Sequence, residues 1–176
     1  GYIAQNKLYR ALKEYGKEDS EKLVLEISDF SDYFKLFSAL DDEQKFHDYI
    51  LSLDGNPENR ENIDPDRLYN CYQSINALQH FGMDQPKPLI YSFLKGFYRL
   101  KMHLKKENSK NRKTISQFLK SLESYHFINN VVCKRQTNEV EKLYAEFACK
   151  FYNAKTSDEF TAHLYMLYKK LQSQLA

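Results

Sequence analysis

A chain of 176 residues, 42% hydrophobic and 15% aromatic, is long and apolar enough to bury a real core, which excludes disorder over most of its length. Lys and Arg (26) nearly balance Asp and Glu (24), leaving a net charge of +2, so any contact with a polyanion has to come from a local patch. No apolar run approaches the roughly 18 residues of a membrane span, and no basic-then-apolar leader opens the chain. It begins at Gly1-Tyr2 without an initiator Met, as a fragment of a larger protein would.

Leu8, Leu12 and Tyr15 fall at helical spacing and predict a short opening helix that Gly16 ends. Leu23, Ile27, Phe30, Phe34 and Phe37 then alternate steps of four and three, a seam that packs on another helix at a shallow angle. Asp41-Asp42 offers a cap for a third helix carrying Phe46, Tyr49, Ile50 and Leu53, and residues 54–63 read as a polar loop. At Asp64-Pro65 a good N-cap precedes a proline at the first helical position, where its missing N–H costs nothing. Leu68, Tyr72, Ile75 and Leu78 follow on one stripe until Gly82 closes the helix.

Pro86 and Pro88 stiffen the next connector, so a new helix begins only at about Pro88. Leu89, Phe93, Phe97, Leu100 and Leu104 form one stripe on it, and Ile90, Leu94 and Tyr98 a second beside it. A helix apolar over so wide an arc is predicted to be central. Residues 107–113 are too charged to pack and read as an exposed connector. Thr114 with Gln117 resembles a capping box ahead of Ile115, Phe118, Leu119, Leu122 and Tyr125, and Asn129-Asn130 to Gln136 interrupts the periodicity. Thr137 or Asn138 caps a helix with Val140, Leu143, Tyr144, Phe147 and Phe151. Thr156 with Glu159 caps the last, with Phe160, Leu164, Leu167, Leu171 and Leu175. With no period-2 strand of useful length, the expectation is an all-α fold, a compact bundle of about seven or eight helices in one domain over 1–176, with possible sub-bundles 1–62 and 63–176.

Chemistry-bearing patterns are sparse. Asp54, Asn56 and Glu58 have the spacing of a calcium loop, but Asn59 stands where the turn needs Gly and Pro57 stiffens it, so a plain acidic loop is preferred. His47, His80, His103, His126 and His163 share no HxxxH or HxH spacing, which favours surface or core histidines over zinc ligands. Cys71, Cys133 and Cys149 lack CxxC spacing and a local histidine partner, so each is expected on an apolar helix face in a reducing, cytoplasmic compartment. No Gly-rich phosphate loop or GxSxG elbow occurs, so no catalytic residue, metal ligand or cofactor is assigned.

Charge is unevenly placed. Between residues 41 and 66 acids dominate, whereas Arg99, Lys101, Lys105, Lys106, Lys110, Arg112 and Lys113 face only Glu107. Such a block, with Lys134 and Arg135 further along the chain, can neutralise phosphates and release counterions, which makes DNA one candidate partner. The competing reading is a solvated helix terminus whose cations favour the dipole, or a block that meets the acidic one.

The string Phe81-Gly82-Met83-Asp84-Gln85-Pro86-Lys87-Pro88-Leu89, with Leu119-Lys120-Ser121-Leu122-Glu123-Ser124-Tyr125-His126-Phe127 and Thr137-Asn138 further on, resembles the helical region that follows the nucleotidase domain in GmrSD-type bacterial restriction proteins, the group with a DGQQR motif in a ParB-like domain. The family's DGQQR and HNH elements are absent here, and Asn129 and Asn130 stand where basic residues often follow the aromatic helix. What the resemblance implies is a non-catalytic helical domain of a phage-defence protein, inactive alone, with flanking nucleotidase and nuclease domains as its partners. A free-standing adaptor that binds another protein through an aromatic groove is the third reading.

Overall fold

A computed structural model describes residues 20–38, 42–54, 65–81, 84–102, 114–133 and 138–175. They form seven α-helices and one π-helical segment, with no strand among the described residues: α1 (Ser20–Ser38), α2 (Glu43–Asp54), α3 (Pro65–His80), α4 (Lys87–Arg99), α5 (Thr114–His126), the π segment (Phe127–Val132), α6 (Asn138–Asn153) and α7 (Ser157–Leu175). The all-α expectation therefore holds. Chain contacts divide the molecule into two compact units, Gly1–Phe37 and Ser38–Ala176. The predicted opening helix, the 54–63 loop beyond Asp54, Leu104 and the 107–113 connector lie outside the described residues.

In the first unit, α1 forms where the seam was read, and Tyr33 packs its ring 4.9 Å from Phe37. Of the three seam residues whose side chains are described, two are exposed and Phe37 is half-buried. Ile27 and Phe34 are 55% and 57% exposed, whereas Leu36, off the seam, is fully buried. A four-three alternation defines a face that can pack, but it does not say which of its positions are covered.

The second unit is built around α4. Lys87 donates its backbone N–H to Asp84 O and Ile90 its own to Pro86 O, so the helix starts one residue before Pro88. Nine of its residues are buried, including Leu89, Ile90, Phe93, Leu94 and Phe97, which bears out the wide apolar arc. The helix ends at Arg99, short of the predicted reach to Leu104. Its stop is a turn in which Lys101 adopts φ 52° and donates its N–H to Tyr98 O, the left-handed ending usually given to glycine. At the centre, Phe93 stacks on Phe118 with ring centroids 3.8 Å apart, and Phe151 and Phe160 meet it at 5.3 and 5.1 Å. Each of these rings is fully buried, so this cluster is the core.

The closest-packed pairs are α4 with α6 and α3 with α5. Contacts advance together along both: Phe93 meets Phe151 and Arg99 meets Ala154, while Ser74 meets Glu123 and Phe81 meets Phe127. In both of these pairs the two helices therefore run parallel. Between α5 and α6 the order reverses, with Phe118 on Phe151 and His126 on Tyr144, so that pair is antiparallel. Phe46 of α2 packs 5.8 Å from the Tyr72 ring of α3.

The interruption expected at 129–136 takes a different form. The chain leaves α5 without breaking and continues as a π-helix, with Cys133 N–H donating to Ile128 O five residues back. Asn129 is buried inside that wider turn, which a periodicity of 3.6 cannot anticipate.

Candidate functional site

The residues singled out for a phosphate contact separate on inspection. Arg99 ends α4, but its guanidinium donates to the carbonyl oxygen of Ala154 at 2.6 Å, just past the last turn of α6. A cation there satisfies a carbonyl with no intrahelical partner and complements the negative end of the helix dipole. Lys101 is exposed at the turn that follows. Lys105, Lys106, Lys110, Arg112, Lys113, Lys134 and Arg135 lie outside the described residues, as do the Asn56 and Glu58 positions of the calcium-like spacing. Among the described residues, no three His, Cys, Asp or Glu side chains gather as a metal ion requires.

The cysteines divide. Cys71 is buried on α3, and burial pushes its thiol up to about 12, leaving it protonated and unreactive at neutral pH. Cys133 and Cys149 are exposed, which corrects the expectation that all three pack on apolar faces. None is bonded to another.

Among the described residues, His126 is the one fully buried histidine. It sits at the junction of α5 and the π segment, fully buried, with Nε2 3.0 Å from the Tyr144 hydroxyl and Nδ1 without a partner. Desolvation lowers its pKa to about 4, so the ring is neutral near pH 7. The same burial holds the Tyr144 hydroxyl well above its ordinary range. Both groups are thereby fixed in their uncharged forms. The sequence carried a hint, since Tyr125 and Phe127 flank His126 on an otherwise apolar turn. His47 and His163 lie instead beside carboxylates one turn back, at 3.7 Å from Glu43 and 3.6 Å from Glu159.

A concave feature that sequence reading missed runs between α3 and α5. Its volume is about 470 Å³, within the range of small-ligand clefts, and its lining mixes polar and apolar surface: Asn70, Gln73, Ser74 and Ala77 on α3 face Ser116, Gln117, Lys120 and Glu123 on α5. Ser74, itself buried, donates its hydroxyl to Glu123 Oε2 at 2.9 Å. Lys120 donates to both oxygens of the same carboxylate at 2.9 and 3.0 Å. The carboxylate is thus held from both helices, and its charge is balanced within the groove. No local motif announces these residues; only the parallel packing of two helices separated by α4 brings them together.

Set against protein-family models, curated proteins and solved structures, the chain matches none.

Proposed function

We propose that this chain is a non-catalytic helical scaffold of a modification-dependent restriction protein, working in the bacterial cytoplasm to couple a nucleotide-using part to a nuclease part. The observation that carries the scaffold reading is the way α4 is fastened to α6. At Gly96 the two backbones approach so closely that no side chain fits, and Arg99 ties the end of α4 to Ala154 beyond α6. Elements joined in this way shift as one body, which suits a part that relays a displacement between neighbours. The interior supports the same reading, because Cys71, His126 and Tyr144 are all held in neutral forms. Groups poised to exchange protons at neutral pH have pKa values tuned toward 7, and these are driven away from it. The restriction-protein context rests on the resemblance of the 81–89 and 119–127 strings and Thr137-Asn138.

The test is an assay of the purified chain with nucleoside triphosphates and with modified and unmodified DNA. No hydrolysis and no cleavage is the expected result, and turnover by the chain alone overturns the proposal. A DNA-binding titration from low to physiological salt separates the scaffold from a basic DNA contact, whose affinity falls steeply with salt. A reading frame with DGQQR upstream supports the family context.

A further inference from the structure

We propose that α1 pairs with the α1 of a second copy of this chain, antiparallel and about its own midpoint. On α1, Val24, Ile27 and Phe34 are 65%, 55% and 57% exposed. With the exposed Ser31 they recur in steps of three, four and three, the spacing at which one helix seats along another. Leu25 is exposed off this stripe. Bulky residues on such a stripe need smaller ones opposite, because a knob enters a hole only where there is room for it. A lipid surface is the poorer occupant, since it favours an unbroken apolar face edged by cations, and here Ser31 interrupts the stripe and Glu21 edges it.

The stripe supplies its own complement. The helix runs Ser20–Ser38, so its midpoint is Asp29. Turned end for end about that point, it sets Phe34 against Val24 of the second copy and Ile27 against Ser31 of the second copy, and the two-fold symmetry repeats both contacts. Each bulkier side chain thus meets a smaller one. The charges along the edge obey the same symmetry. Glu21, Ser28 and Lys35, all exposed, follow at seven-residue intervals and so share a line beside the stripe. The end-for-end arrangement brings Glu21 beside Lys35 of the second copy at both ends and leaves the uncharged Ser28 beside its own copy in the middle. In a parallel pair Glu21 would lie ~21 Å along the axis from that lysine, past the Debye length at physiological salt. Opposed helix dipoles add to the antiparallel preference. Lys35 stands 3.3 Å from Asp32 on its own helix, an exposed pair of the kind that contributes little and yields readily to a second carboxylate. Overlap over the whole 19-residue helix is about 28 Å long, the small end of specific interfaces, so a dimer of roughly micromolar strength is expected. This inference stands on α1 alone and does not depend on which larger protein the scaffold serves.

The test is sedimentation equilibrium of the full chain from about 1 to about 200 μM, where a reversible monomer–dimer equilibrium is expected. Ile27→Ser and Phe34→Ser should each raise the dissociation constant roughly tenfold or more, as loss of a central apolar anchor does. Tyr165→Ser, exposed on α7, serves as the unaffected control. These side chains are exposed, so the variants fold, which circular dichroism checks. At low salt, Glu21→Lys alone and Lys35→Glu alone are each expected to weaken the dimer roughly three- to tenfold, because each sets like charges together at both ends. Mixing the two variants should restore association, since both edge pairs of the mixed dimer join opposite charges. A chain that stays monomeric throughout, a dimer indifferent to Ile27→Ser and Phe34→Ser, or a mixture no better associated than its components would each overturn the proposal. Any of these leaves the scaffold reading standing, because that reading falls only to turnover or salt-sensitive DNA binding.

Discussion

A Cβ on Gly96 would lie 2.5 Å from the carbonyl oxygen of Phe151 and 2.9 Å from the Phe160 ring. The first contact is with backbone, which cannot swing aside, so the α4–α6 crossing depends on this one missing methyl. Alanine would ordinarily gain about 1 kcal/mol over glycine inside a helix. Here the overpacking cost exceeds that gain, and Gly96→Ala is expected to destabilise the fold by a net ~1–3 kcal/mol in urea denaturation. A variant as stable as the parent would mean that the helices do not approach this closely. Lys101 gives the opposite expectation. It holds φ 52°, where a Cβ costs roughly 1–2 kcal/mol, so Lys101→Gly should raise stability by up to about 1 kcal/mol once the freer unfolded chain is counted. A rise in the thermal midpoint checks it.

Among the elements, those with both a cap and a stripe were legible, because each signal is local. Asp42 accepts the Lys45 N–H at 3.1 Å, and α2 follows at Glu43 as the Asp41-Asp42 pair predicted. Thr156 Oγ1 accepts from Glu159 N–H at 3.2 Å, and the Glu159 carboxylate reaches back to Lys155 N–H at 2.9 Å, one residue earlier than a standard capping box. Thr156→Ala is accordingly expected to cost about 1 kcal/mol, with Thr156→Ser retaining most of it; equal losses in both would remove the cap as the cause. What local signals could not give was which face a helix buries. The α1 seam carries the right spacing yet leaves Ile27 and Phe34 exposed, and the run from Asn129-Asn130 reads as a break although the backbone coils on through the π segment to Val132. The groove was equally hidden, since Asn70, Gln73 and Gln117 look like ordinary solvated positions until α3 and α5 lie side by side.

At the scale of the whole molecule, the helices of the second unit meet at a core that holds His126 fully buried, the one such histidine among the described residues, and acid should act on stability through it. Its folded pKa of about 4 lies below the ordinary 6.5 because burial disfavours the charged form. Between those values the unfolded chain takes up a proton that the folded one refuses, so stability rises with pH across that window. The contribution is complete above about 6.5 and is lost as pH falls toward 4, for a total on the order of 3 kcal/mol. Glu146 and Glu159 also have depressed pKa values, from hydrogen bonding to Lys150 and to the Lys155 backbone respectively. Their stabilisation is present above the ordinary carboxylate value of 4.5 and fades below it, so the range from 6.5 to 4.5 reports mainly on the buried ring. Urea denaturation at pH 7, 6 and 5 is expected to show the loss in the parent chain. His126→Gln, which cannot titrate but can still hydrogen-bond the Tyr144 hydroxyl, should be less stable at pH 7 and much flatter over the same range. A parent curve flat from pH 7 to 5, or a variant as steep as the parent, would mean that the ring already finds its proton in the folded state and that the junction of α5 with the π segment is open to water.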